Sequence, residues 1–164
     1  MAEFADHKLM NPMSEKEKPC IELDEEEIHN ENLFDPKKGG KWMMFYDPNV
    51  MDKKWQEAVT LYRNKELTGI QSIKCSTAVG DPRAGNNPNG AIRFVCGPYD
   101  DSEAVLSYGR NILEKMNYAS SRGFIAYKTD EQSAVWDTDT RNRKYYYRIL
   151  VPLLQSQLVT GKST

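Results

Sequence analysis

The chain has 164 residues and a formal net charge of −2, enough for one domain with a sizeable core. No apolar run is long enough to span a bilayer, and the N-terminus lacks a secretory apolar region. Three cysteines without Cys-x-x-Cys spacing and two histidines, His7 and His29, argue against a disulfide framework and a structural zinc site, so the cytoplasm or nucleus is the expected compartment.

The charge is split along the chain. Residues 1–35 carry three Lys and eleven Asp and Glu, a balance of −8; the remaining 19 basic and 13 acidic residues give +6. Residues 1–32 hold Pro12, Pro19 and the dense run Glu22 to Glu27 without an apolar stripe. Such a segment cannot offset its ordering entropy and is expected to be a disordered acidic tail. Only Cys20-Ile21-Glu22-Leu23 has the character of an edge strand. The tail either solubilises the domain or folds back on its basic part.

Residues 33–154 read as one domain. Gly39-Gly40-Lys41-Trp42-Met43-Met44-Phe45-Tyr46-Asp47-Pro48 is an apolar run bounded by turn residues, the pattern of a strand covered on both faces. Trp42, Met44 and Tyr46 point one way, Met43 and Phe45 the other. A helix follows Asp47-Pro48, with Met51, Trp55, Ala58, Val59 and Tyr62 at helical spacing and Gly69 as its end. Residues 70–77 alternate as a half-buried strand, with Ile73 and Cys75 opposite Ser72, Lys74 and Ser76. Residues 79–90 are turn chemistry, and Ala91 to Gly97 is the return strand of a long hairpin.

Asp100 or Ser102 caps a second helix whose buried stripe is Val105, Tyr108, Gly109, Ile112 and Met116. Phe124 to Lys128 is a strand. Residues 129–143 form a polar loop carrying Trp136, Tyr145 to Val151 is the last strand, and residues 155–164 are a C-terminal tail. The order implies an α+β domain with a largely antiparallel sheet and its helices on one face.

Catalysis is not expected. Outside the N-terminal segment the chain has no histidine to act as a general base. Cys75 and Cys96 sit mid-strand as structural thiols, and residues 80–90 lack the Lys-Ser/Thr of a phosphate loop. No cofactor or metal is implied. Binding has more support. Lys74, Arg93, Lys128, Arg141, Arg143, Lys144 and Arg148 all fall on strands or loops, interleaved with Trp136 and Tyr145 to Tyr147. Cations for phosphates and aromatic faces for bases suit a nucleotide or single-stranded nucleic acid. The plainer alternative is a solvated sheet face with Trp136 folded over the edge of the core.

Gly39-Gly40-Lys41-Trp42, the helix Met51-Asp52-Lys53-Lys54-Trp55, the strand Ala91 to Gly97, Glu103 to Arg110, Phe124 to Lys128 and Asn142-Arg143 resemble, in order and spacing, the C-terminal two-thirds of translation initiation factor 4E, the mRNA cap-binding protein. The likeness is closer still to a small family of that fold typified by basophilic leukaemia-expressed protein, with its Tyr-Lys-x-Asp segment at Tyr127 to Asp130. The resemblance covers residues 33–150. It implies a curved, largely antiparallel sheet with helices on the convex face and a ligand on the concave one. It sets Phe34 and Asp35 against one sandwiching Trp and the Glu of the cap-binding factors, Val95 against a methyl-contacting Trp, and Lys74 against a phosphate-binding Arg. No counterpart is found for the second sandwiching Trp or for the back-surface Trp that docks a scaffold partner.

The expectation is therefore a non-enzymatic binding protein, monomer or weak dimer, without a membrane role. Its basic concave face takes a nucleotide or RNA through Phe34, Asp35, Lys74, Arg93, Lys128, Trp136, Arg141 and Arg143. The alternative is a protein-interaction adaptor with a degenerate pocket and a protein partner.

Overall fold

The computed structural model describes residues 9–79, 89–120, 122–134 and 145–152. Its strands are β1 (Cys20–Leu23), β2 (Gly40–Tyr46), β3 (Ser72–Ser76), β4 (Gly90–Cys96), β5 (Phe124–Thr129) and β6 (Tyr147–Leu150). They form one sheet in the order β1-β3-β4-β2-β5-β6, every neighbouring pair antiparallel. The helices are α1 (Glu26–Glu31), α2 (Pro48–Arg63), α3 (Ser102–Met116) and the short α4 (Asp130–Ala134). This is the expected α+β architecture, a curved antiparallel sheet with helices on one side.

Period-two alternation sorts the sheet into two unlike faces. At one level the residues facing the helices are Leu23, Ile73, Phe94, Trp42, Tyr127 and Tyr147, read across from β1 to β6. All but Tyr147 are buried. On β2 the pattern is strict: Gly40, Trp42, Met44 and Tyr46 are buried, while Lys41, Met43 and Phe45 are half-buried. The run is thus covered on one face only, not on both as its apolar composition suggested.

Both long helices start where the sequence placed them. Asp47 Oδ1 accepts the Asn49 N–H at 2.8 Å, with Pro48 at the first helical position. Asp101, between the two expected caps, accepts the Ala104 N–H at 3.2 Å. Helix α2 stops at Arg63 rather than at Gly69, because Asn64 already caps it; Gly69, at φ +79°, belongs to the turn into β3. Helix α3 comes close enough to β2 that a Cβ on Gly109 would sit 2.6 Å from the Trp42 ring. The Trp42 Nε1–H donates to the Val105 carbonyl at 3.1 Å, so the indole's polar atom is satisfied inside the core.

The N-terminal segment departs most from expectation. From residue 9 to residue 32 it is folded onto the domain, not a disordered tail, and the folded unit begins well before residue 33. Trp55 Nε1 donates to the Leu9 carbonyl at 2.6 Å, Gln56 Nε2 to the Met10 carbonyl at 2.7 Å, and the Met13 N–H to Asp52 Oδ1 at 2.9 Å. Strand β1 adds to β3 as the sheet's edge, and Leu23 and Ile28 join the core. Asn32 Nδ2 reaches the Ile70 carbonyl at 3.2 Å. The apolar anchors Leu9, Met10, Met13, Ile21, Leu23 and Ile28 follow no single period, so they leave no stripe for a pattern reading to find. Helices α1 and α4 fall in the expected tail and loop; at six and five residues they carry little helical pattern.

Two outcomes test this packing. Removing residues 1–32 should destabilise the domain severely: Leu23 and Ile28 alone account for roughly 3–6 kcal/mol of burial, read as a lower urea midpoint. A truncated chain as stable as the full one would return the segment to the status of a tail. Trp42→Ala should cost about 3–5 kcal/mol, as large-to-small core changes do, in the same unfolding experiment.

Candidate functional site: the open face of the sheet

The face away from the helices carries charge where the other carries core. One level across the sheet reads Glu22, Lys74, Arg93, Met43, Ala126 and Arg148 from β1 to β6. The next level reads Ser72, Val95, Lys41 and Lys128 from β3 to β5. Lys74 and Arg93 are direct cross-strand partners, so their side chains leave the sheet side by side. Lys41 lies two residues from Met43 on the same face, diagonal to Arg93. Like charges at this spacing repel, and they form a site only if something anionic joins them.

Local chemistry supports a concentrated positive face. The Lys41 side chain is only 17% exposed, and its Nζ lies 3.6 Å from Asp130 Oδ1. Burial holds the Lys41 ammonium below the ordinary lysine range. Asp130 opposes that shift, while the charges of Arg93 and Lys74 add to it. Lys128 is lowered by burial and by the neighbouring Arg122. Lys74 pairs with Glu22 at 3.3 Å across the β1–β3 edge, an exposed contact that holds little energy against solvent.

Phe34 and Asp35 sit at the end of the sheet where β2 begins. Asp130 lies 2.6 Å from the position a Cβ on Gly39 would take and also pairs with Lys41, so Gly39 and Lys41 share the open face. Phe34 packs against that same Gly39 and against Gly97, within 2.8 Å of a Cβ placed on the latter. Glycine at both positions lets the ring approach the backbone closely at the rim, next to the Val95–Lys41–Lys128 level. Asp35 is exposed and accepts the Lys37 N–H at 3.0 Å, capping the 3₁₀ turn Pro36–Lys38. Trp136, Arg141 and Arg143 lie outside the described residues.

Several residues escaped the pattern reading. Lys41 is hidden in the apolar run of β2, although the alternation with Trp42 and Met44 already puts it on the other face. Asp130 lies in the expected loop, whereas Glu22 lies in the Cys20–Leu23 stretch that the sequence marked as a candidate edge strand and that pairs with β3. Phe45, Phe124 and Arg122 make the opposite end of this face. The Arg122 guanidinium lies 4.7 Å from the Phe124 ring centre and 5.7 Å from that of Phe45.

Away from this face, the groove between α2 and α3 holds about 430 Å³ and is lined by Lys53, Gln56, Glu57, Thr60, Leu61 and Lys115. Among the described residues no group of His, Cys, Asp and Glu is placed to hold a metal ion. Burial pushes the Cys75 and Cys96 thiols up, keeping both protonated.

No protein-family model matches the chain, and no curated protein is significantly similar to it. Solved structures are. The chain superposes on Caenorhabditis elegans eIF4E-3, solved with the 4E-binding protein Mextli and a cap analogue, with a TM-score of 0.52 at 13% identity, over 68% of this chain and 57% of that one. It superposes on schistosome eIF4E, solved with m7GpppA and 4E-BP, with a TM-score of 0.52 at 19% identity, over 70% of this chain and 62% of that one. The chain therefore matches less than two thirds of the length of either neighbour. At these identities the likeness establishes the fold: the domain has the fold of translation initiation factor 4E.

Proposed function

We propose that this chain is a non-enzymatic binding protein whose open, basic sheet face takes a nucleotide or RNA. The observation that carries the reading is the cross-strand pair Lys74–Arg93 beside the half-buried Lys41, with Lys128 on the adjoining strand. Asp130 and Glu22 already face Lys41 and Lys74, and phosphate oxygens can take the place of these two carboxylates beside the clustered cations. The neighbours of this fold were solved with cap compounds, which is consistent with a nucleotide on such a face. The closer resemblance to the family typified by basophilic leukaemia-expressed protein, and residence in the cytoplasm or nucleus as a monomer or weak dimer, belong to the same proposal.

High-affinity recognition of the methylated cap is not part of it. A methylguanine cation held between two aromatic faces gains from both. Here the rim offers Phe34, already laid against Gly39 and Gly97, and the resemblance to the cap-binding factors sets Val95 where they have a methyl-contacting Trp.

The second reading is a protein-interaction adaptor. Both neighbours were solved with 4E-binding proteins, and the α2–α3 groove gives this chain a concave back surface. One wall of that groove, Gln56, is already bonded to the Met10 carbonyl of the chain's own N-terminal segment. That contact favours the open face as the ligand site.

Two experiments separate the readings. Lys74→Glu with Arg93→Glu should abolish binding of labelled RNA in a fluorescence-anisotropy titration, and the wild-type affinity should fall steeply between low and physiological salt. Glu22→Gln, which removes the competing carboxylate beside Lys74, should tighten it. A wild-type protein that binds no RNA or nucleotide even at low salt leaves the adaptor as the better reading. Lys41→Met should weaken binding yet stabilise the fold by roughly 1 kcal/mol at neutral pH, because it removes a charge the fold holds at a cost. That gain follows from a folded-state pKa below the unfolded one, so it should be full at neutral pH and fade as pH rises into the ordinary lysine range. Thermal melts of the two proteins across that range provide the measurement.

A further inference from the structure

The open face has a second half that the basic residues do not explain. Phe45 on the central strand β2 and Phe124 on its neighbour β5 both lie on this face, two residues beyond the Met43–Ala126 partners. Both are half-buried. Phe124 is flanked by two guanidinium groups, Arg122 at 4.7 Å and Arg148 at 5.6 Å from its ring centre. Tyr145 meets Phe124 edge-to-face at 5.2 Å and accepts a hydrogen bond from Arg122 Nη2 at 3.1 Å. That bond fixes the guanidinium on the rings, and Arg122 and Arg148 are themselves exposed.

We propose that Arg122, Phe124 and Phe45 form a base-stacking platform, and that the ligand of the open face is single-stranded nucleic acid. The proposal rests on the basic-face reading above and adds to it where the bases go. A guanidinium held over adjacent aromatic rings on the middle strands of an antiparallel sheet offers bases a stacking surface without reading their edges. The phosphates then run toward Arg93 and Lys74. Along β2 the platform is about 7 Å from the Lys74–Arg93 level, and three strand spacings separate β5 from β3, a total reach of about 15 Å. A single nucleotide does not cover both ends; a strand of a few nucleotides does.

The test uses full-length protein and fluorescence anisotropy at low salt with three probes: a short labelled oligouridylate, an abasic oligomer of equal length, and inorganic polyphosphate as competitor. Arg122→Lys keeps the charge and removes the stacking plane. Phe124→Leu keeps the burial and removes the ring. Each should lower affinity for the oligouridylate about tenfold, the effect of losing one stacked base, with the abasic oligomer and polyphosphate unchanged. Equal binding of oligouridylate by wild type and both variants overturns the platform. So does a wild-type protein that binds the abasic oligomer as well as the oligouridylate, or one on which a nucleoside triphosphate competes as well as the oligomer; these leave the basic-face reading standing. Binding of none of the probes overturns both.

Discussion

The indole of Trp42 ties the two layers of this domain together. It sits on the central strand β2, stacks obliquely on Tyr127 of β5 at 5.4 Å, is paired across β4 with Phe94, and bonds a carbonyl of α3. Gly109 opens the space on the helix that the ring fills. Because the ring and its N–H are both accommodated, β2 keeps one register and one face inward. A slip of one residue would send Lys41, Met43 and Phe45 into the core and expose Trp42, Met44 and Tyr46.

Everything on the open face follows from that register. With Trp42 inward, Lys41 must point outward, and the antiparallel ladders then place Lys74 beside Arg93 and Lys41 beside Lys128. Cations that lie far apart in the sequence meet because strand order, not chain order, decides neighbours. The same ladders bring Phe45 and Phe124 together at the other end. The face thus carries Lys74, Arg93, Lys41 and Lys128 toward one end of the strands and Phe45 and Phe124 toward the other.

The acidic segment finds its partners in this scheme without neutralising it. Glu25 pairs with Arg63 at 3.1 Å, and Glu27 and Glu31 pair with Lys65 at 2.8 and 2.9 Å, all near the C-terminal end of α2. These contacts are exposed and individually weak. The segment is held instead by β1 pairing and by the burial of Leu23 and Ile28. Glu22, through its place on the edge strand, pairs with Lys74 on the open face. Much of the charge split seen along the chain is therefore folded into local pairs at one end of a helix.

What the sequence by itself determined is local. The alternation of β2, β3 and β4, the spacing of Met51, Trp55, Ala58 and Val59, and the helix starts at Asp47-Pro48 and within residues 100–103 are written in short windows, where period and turn chemistry act directly. These were enough for the α+β class and for Lys74 and Arg93 as outward residues on neighbouring strands. The tertiary structure decided what depends on contacts distant in the chain. The edge-strand character of Cys20–Leu23 is realised only because β3 offers it an open ladder and the core offers Leu23 a place. Lys41 becomes part of a cationic cluster only because β4 lies beside β2, and Arg122 becomes a partner of Phe45 only through the β2–β5 pairing. Cross-strand neighbours are chosen by the order of strands in the sheet, and that order carries no signature in any window of the sequence.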